Sequence, residues 1–286
     1  MRVTAVVSEA GIDAADNDDC ADFAETGSGL YAWVIDGATS VADRDYLGTE
    51  RTDVAWYAAA LSARLQANAG RGLALRPLHA AAAAEVAEQY AELRARCAVP
   101  PPVYAQPLAA ITMARITGDA LELYELGDCP AFVAGAGDVR RLTFLKDDSG
   151  AIESKARVVA VQREVGFSPK AVWADRLASL RDEREAHFGY APLRASGPIA
   201  GARFGGRETR LDLAGIDAVV LMSDGFERFA VKYDLGDEAA MIRRAVREGP
   251  APVLAELRAL ERADPECRRF PRLKPSDDAT CLVMAR

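Results

Sequence analysis

Histidine is almost missing from this chain: there are two, His79 in an alanine-rich stretch and His187 further on. Both read as structural or solvated rather than as ligands. The five cysteines, Cys20, Cys97, Cys129, Cys267 and Cys281, are widely spaced and form no CxxC pair. An odd, scattered set excludes a disulfide framework and a thiolate zinc site, and predicts reduced, mostly buried thiols. Positive charge is in deficit, with 35 Lys and Arg against 43 Asp and Glu and a formal charge of -8. That balance argues against a general affinity for nucleic-acid backbones. No segment offers about 18 uncharged apolar residues, and the opening MRVTAVVSEAG lacks a sustained apolar run or cleavage site, so a cytoplasmic protein without a membrane partner is expected. No GxxxxGK[ST] loop occurs, which disfavours a nucleotide-driven motor or kinase.

What is present is core-forming residue: half of the 286 positions are hydrophobic, enough for one large domain or two small ones. Residues 2–8 and 30–35 read as a strand pair opening the chain, since both runs are short, rich in β-formers and bounded by turn residues. Stretches 48–69 and 76–97 carry apolar residues at helical spacing and predict two adjacent helices joined near Gly70 to Gly72. Beyond Pro100, Pro101 and Pro102, the runs 108–116, 121–126, 131–134 and 139–144 predict an antiparallel meander. Residues 151–188 are charged and amphipathic and are followed by GPIAGARFGG; this insertion is expected outside the core. Strands at 207–213, 217–222 and 279–285 and helices at 237–247 and 251–262 complete the chain. Paired helices among antiparallel strands predict sheets covered by helical layers, not a parallel doubly wound fold.

Acidic residues recur where these strands end. Asp13, Asp16, Asp18 and Asp19 surround Asn17; Asp36-Gly37 follows LYAWVI; Gly127-Asp128 follows LELYEL; Ser223-Asp224-Gly225 follows AVVLM; Asp277-Asp278 precedes TCLVM. Counting from Asp13, Asp16 or Asp18 gives neither the glycine nor the glutamate of a calcium-binding EF-hand loop. Each motif alone is an ordinary turn. Together they place five acidic positions at strand tips that packed sheets can bring to one mouth. Carboxylates gathered there repel one another unless a cation neutralises them, and all-oxygen donors select Mg²⁺ or Mn²⁺ over zinc.

In order, NDD, VIDG, ELGDCP, LMSDG and DDAT resemble the motifs of metal-dependent protein serine/threonine phosphatases of the PP2C type (PPM family), bacterial type. The resemblance covers nearly the whole chain. It implies an α+β fold, a four-layer αββα sandwich in which two antiparallel sheets are flanked by helix pairs, as one domain over residues 1–286 with a flap at about 145–200. The implied activity is hydrolysis of phosphoserine and phosphothreonine in proteins by a metal-activated water, with two Mn²⁺ or Mg²⁺ ions and possible room for a third. By the same resemblance Asp36 bridges both ions and Gly37 lends its carbonyl, Asp224 and Asp277 complete one ion, Asp18 holds metal-bound water, Asp128 matches the ligand of a third ion, and Asp19 orients the ligands. The implied partner is a phosphorylated protein, the substrate of a Ser/Thr kinase, and the chain is expected to be a monomer.

Three features depart from the family pattern. Its phosphate-gripping arginine falls on Ala14, with Arg44 or Arg51, soon after Asp36-Gly37, as candidate substitutes; Ala38-Thr39-Ser40 follows Asp36-Gly37 in place of a glycine-rich or histidine-containing turn; Asp278 and Cys129 replace the usual Asn and Ser. The departures leave open a catalytically weak or inactive relative that binds phosphoproteins as a regulator, and a hydrolase of small phosphorylated molecules. A phosphatase with Asp36 as covalent nucleophile is disfavoured, because that chemistry needs a second Asp where Ala38 stands.

Overall fold

A strand that is apolar on both faces must be covered on both sides, and several strands here alternate between two apolar environments. The computed structural model describes residues 1–12, 14–143, 206–233, 235–272 and 274–286, with residues 159, 160, 162, 163, 166, 177, 178, 180–182, 184 and 185 between them. Within these residues the strands are β1 (Arg2–Glu9), β2 (Cys20–Thr26), β3 (Gly29–Gly37), β4 (Ala109–Thr117), β5 (Ala120–Leu126), β6 (Ala131–Ala134), β7 (Val139–Arg141), β8 (Arg207–Asp212), β9 (Ala218–Met222) and β10 (Ala279–Ala285). The helices are α1 (Asp53–Ala69), α2 (Leu75–Arg96), α3 (Asp224–Val231), α4 (Glu238–Glu248) and α5 (Pro250–Ala263).

The strands form two antiparallel five-stranded sheets, in the orders β1-β10-β9-β6-β7 and β2-β3-β4-β5-β8. Three cores separate four layers. In β3, Tyr31, Trp33 and Ile35 pack with Tyr57, Leu61 and Leu65 of α1 and Leu78 and Val86 of α2. The alternate residues Leu30, Ala32 and Val34 meet Val219, Leu221, Leu282 and Met284 of the other sheet. On the far face Val220, Met222, Cys281 and Val283 pack against Phe226, Phe229, Ile242 and Leu254 of α3 to α5. Each such buried aliphatic or aromatic side chain contributes about 1.5–3 kcal/mol, so the alternation in β3, β9 and β10 pins their register.

The helices start where local chemistry allows. Thr52 caps α1 by accepting from the Ala55 amide at 3.1 Å, and Asp237 caps α4 by accepting from Ala240 at 2.6 Å. Pro250 opens α5, where its missing N–H costs nothing. Inside the first core the Trp33 indole donates to Ser62 Oγ at 2.9 Å, which satisfies a polar atom that burial would otherwise strand.

The α+β four-layer architecture is as the sequence predicts, but the strand pairing is not. β1 does not pair with β3: β1 pairs with β10, and β3 takes β2 as its neighbour. The strand β2, CADFAET, was absent from the expected elements. The expected meander is two hairpins in different sheets, since β4 and β5 lie in one and β6 and β7 in the other. The chain changes sheets at Gly127-Asp128. Helix α3 was not among the expected elements. Most of the insertion, the glycine-rich run as far as Gly205, Asp13 and His187 fall outside the described residues. Within the insertion Gln162 is fully buried, and its side-chain oxygen accepts from the Arg272 amide at 2.9 Å, so that point docks on the body instead of lying outside it. No described helix is long and apolar enough to cross a membrane.

Candidate active site

Strand ends from both sheets supply the acidic residues. Asp19 enters β2, Asp36 is the penultimate residue of β3, Asp128 stands between β5 and β6, Asp224 begins α3 directly after β9, and Asp277 precedes β10. The Asp224 amide donates to Asp36 Oδ2 at 3.1 Å, which ties the end of one sheet to the start of the helix above the other. Two glycines permit this approach. A Cβ on Gly37 would strike the Asp18 carbonyl and Val54 Cγ1, and one on Gly225 would collide with the Asp278 carbonyl.

Charge is concentrated around Asp36. Burial raises its carboxyl well above the usual range, and the negative fields of Asp19, Asp224, Asp128 and Asp277 raise it further. Asp19 is 7% exposed; burial lifts it too, against the hydroxyls of Ser223 and Thr280 that favour the ionised form. Its Oδ2 has no hydrogen-bond partner. A buried carboxylate oxygen left unpaired among other carboxylates is what a bound cation would satisfy. Burial raises Asp224 as well, with Arg228 opposing it and Asp277 adding to it.

Asp18 stands at the edge of this group. Its Oδ1 accepts from Thr52 Oγ1 at 2.6 Å, so the residue that caps α1 also orients the carboxylate. Burial brings Asp18 up to about 6, with the Thr52 hydroxyl as the main opposing influence. Asp278, where the family carries Asn, spends both oxygens on backbone: Gly11 N at 2.7 Å and Asp18 N at 2.8 Å. It anchors the NDD segment and does not add a free donor to the site. Cys129 is buried beside Asp36 and Asp128, and burial drives its thiol well up, so it is no nucleophile. All five cysteines are free.

Asp277 differs from the rest. Its Oδ2 receives the Arg228 guanidinium and its Oδ1 the Lys274 ammonium, and the pair is 14% exposed on the Asp277 side. Burial alone would raise Asp277, but Arg228 and Lys274 overcome it and hold the carboxyl below its ordinary value. Among the described residues no three His, Cys, Asp or Glu side chains are drawn closely enough together to hold an ion as they stand. The donor chemistry on the Asp36 side fits a hard divalent cation; the Asp277 side is capped by two resident cations. Sequence reading missed both Arg228 and Lys274. The local signals were a basic residue one helical turn beyond Asp224 and another three residues before Asp277.

Ala14 is exposed and only its backbone is engaged, to the Gly11 carbonyl at 3.0 Å. Of the two arginines that could stand in, Arg44 lies over the Tyr46 ring at 4.9 Å. Arg51 reaches the acidic loop, donating to both oxygens of Asp16 at 2.9 and 2.8 Å and to the Asn17 carbonyl; the paired guanidinium holds Asp16 below the usual carboxylate range. The loop after Gly37 is gripped from the insertion: Arg184 donates to the Thr39 carbonyl at 3.0 Å and Arg181 to the Val41 carbonyl at 2.7 Å. Burial lowers Arg184 to about 10.

Two antiparallel sheets between helical layers, with acidic strand tips from both sheets gathered at one end, define the class: a PP2C-type phosphatase sandwich. The sequence matches the family profile described as Protein phosphatase 2C over residues 12–259, and the chain belongs to that family of protein serine/threonine phosphatases. No curated protein matches the chain in sequence. Among solved structures the serine/threonine phosphatase Stp1 from Staphylococcus aureus is similar, with 12% identity, a TM-score of 0.57 and coverage of 98% of this chain and 93% of that one. The Mycobacterium tuberculosis serine/threonine phosphatase PstP/Ppp shares 16% identity at a TM-score of 0.55, covering 99% and 98%. The catalytic domain of PstP in complex with two manganese ions aligns at 16% identity and a TM-score of 0.51, covering 98% and 95%. At such identities the likeness speaks for the fold alone.

Proposed function

We propose that this chain is a divalent-metal-dependent hydrolase of phosphoserine and phosphothreonine in proteins, a single domain over residues 1–286 whose insertion at about 145–200 acts as a flap beside the site. The observation that carries the reading is the convergence of Asp19, Asp36, Asp128, Asp224 and Asp277 from both sheets, with Asp19 Oδ2 unpartnered. Family membership and the manganese complex of PstP support it. Asp36, Gly37, Asp224, Asp277, Asp128 and Asp18 would hold Mn²⁺ or Mg²⁺. Such ions, when bound, lower the pKa of water and neutralise charge on a phosphoryl group.

The chain's own residues do the positioning. The Asp224 amide fixes one Asp36 oxygen and so aims the other into the acidic recess. Thr52 holds the Asp18 carboxylate, and Asn17 Oδ1 accepts from the Asp19 amide at 3.0 Å, so the backbone that presents Asp19 is fixed before any substrate arrives. Arg51, paired with Asp16 and the Asn17 carbonyl, brings a guanidinium to the loop that contains Ala14. The empty place at Ala14 and the capped Asp277 favour one second reading, a weak or inactive relative that binds phosphoproteins.

Hydrolysis of p-nitrophenyl phosphate and of a phosphothreonine peptide, measured with Mn²⁺ and with Mg²⁺ in wild type and Asp36→Asn, decides between them. Activity in wild type that falls at least about a hundredfold in the variant is expected for loss of a principal ligand. Wild-type inactivity with both metals sinks the enzymatic reading; cleavage of the small ester alone sinks the protein substrate.

A further inference from the structure

Arg228 belongs to α3 and lies one turn beyond Asp224, with its side chain 8% exposed. A buried guanidinium next to a cluster of carboxylates is a charge that cannot leave, because withdrawing it would strand it in the apolar layer formed by Phe226, Phe229 and Tyr233. It pairs with Asp277 Oδ2 through Nη2, while Nε and Nη1 have no hydrogen-bond partner. Attraction to the acids, not a complete hydrogen-bond set, keeps it there. Lys274 takes the other oxygen of Asp277 and also donates to Thr39 Oγ1 at 2.8 Å, but its side chain is 27% exposed and can swing to water.

We propose that Arg228 is a built-in cation of this site, a positioning residue that holds Asp277 as its counter-ion and sets how strongly the Asp224–Asp277 side takes up a divalent ion. The inference rests on the phosphatase reading for the identity of the ligand set. One ion is then bound firmly at Asp36, where no cation among the described residues competes, and a second is bound weakly, because it must draw Asp277 away from Arg228. Arg228 also lets the acidic residues coexist before metal arrives, since it neutralises one of them permanently.

The test is Mn²⁺ binding by titration calorimetry, together with thermal denaturation in EDTA and in excess Mn²⁺, on wild type, Arg228→Met and Arg228→Gln. Gln keeps a donor to Asp277 without the charge, and so serves if Met prevents folding. The expected result is a weaker second ion in wild type that becomes about tenfold tighter or more in the neutral variants. The same variants should melt lower than wild type in EDTA and gain more from Mn²⁺. Arg228→Lys, which keeps the charge, should resemble wild type. A merely structural arginine would lower the melting temperature with and without metal alike and leave the binding isotherm unchanged; that result overturns the inference. If no protein in the series binds Mn²⁺, the metal-dependent reading itself falls and takes the inference with it, an outcome distinct from equal binding in all of them.

Discussion

Lowering the pH from 7.5 to 5 should weaken this protein by about 2 kcal/mol through one residue outside the active site. His79 sits on α2 with 2% exposure; its ring lies 5.4 Å from that of Tyr124, and Nε2 has no partner. Burial lowers its pKa from 6.5 to about 4. Between those values the unfolded chain binds a proton at this position and the folded chain does not. Stability from His79 is therefore complete above pH 6.5 and is lost as the pH falls. The linkage relation gives about 2 kcal/mol lost at pH 5, rising to about 3 kcal/mol below pH 4. At an unfolding entropy of about 2.1 cal/mol/K per residue, that is a drop of about 3 °C in melting temperature at pH 5 for a chain of 286 residues. The assay is urea denaturation in EDTA at pH 7.5 and pH 5, for wild type and His79→Leu. Other groups titrate in the same window, but they do so in both proteins, so the change in stability with pH should be smaller in His79→Leu by about 2 kcal/mol. Equal pH dependence in the two proteins would refute the reasoning, whatever their difference at pH 7.5.

Asp36→Asn removes a charge that its neighbours oppose while keeping the acceptor for the Asp224 amide. In EDTA the variant should be more stable than wild type by about 1–3 kcal/mol and should no longer respond to Mn²⁺, as read by thermal denaturation; an apo variant no more stable than wild type counts against the crowding of carboxylates. Gly225→Ala should push α3 away from the Asp278 carbonyl, costing roughly 2–4 kcal/mol in urea denaturation and weakening Mn²⁺ binding together, and a neutral result would show that the close approach is not required. Ala14→Arg should lower the KM for a phosphothreonine peptide with little change in kcat if a missing guanidinium limits substrate grip; an unchanged KM would show that Arg51 or another cation already fills that role.

The parts of the fold that were legible in the sequence are those in which one local pattern has one outcome. α1 and α2 repeat apolar residues at helical spacing, and β3, β9 and β10 are unbroken apolar runs because both of their faces are covered. β2 was not legible: CADFAET is mostly half-exposed, with only Ala24 buried, so it carries neither a continuous apolar run nor clean alternation. The pairing of β1 with β10 joins residues some 280 positions apart, and nothing local encodes it. The acidic tips were visible because each interrupts a strong strand. Arg228 was not, since its meaning lies in a contact with Asp277 made only once α3 packs beside the approach to β10, whereas Lys274 stands three residues before Asp277 and was passed over although its contact is local. Asp278 looked like a small change of polarity and is instead the bracket that holds Gly11 and Asp18.

The pairing of β10 between β1 and β9 also ties the closure of one sheet to the assembly of the acidic group. Until residues 279–285 are available, sheet β1-β10-β9-β6-β7 is split, with β1 on one side of the gap and β9 on the other. Asp277 and Asp278 are delivered by the same segment, so the acidic loop at Asp18 has no bracket and Asp36 lacks one of its neighbours. A chain truncated before Asp277 would lose β10 together with Asp277 and Asp278, and so would lose the closing strand of one sheet and the bracket on Asp18 in a single step.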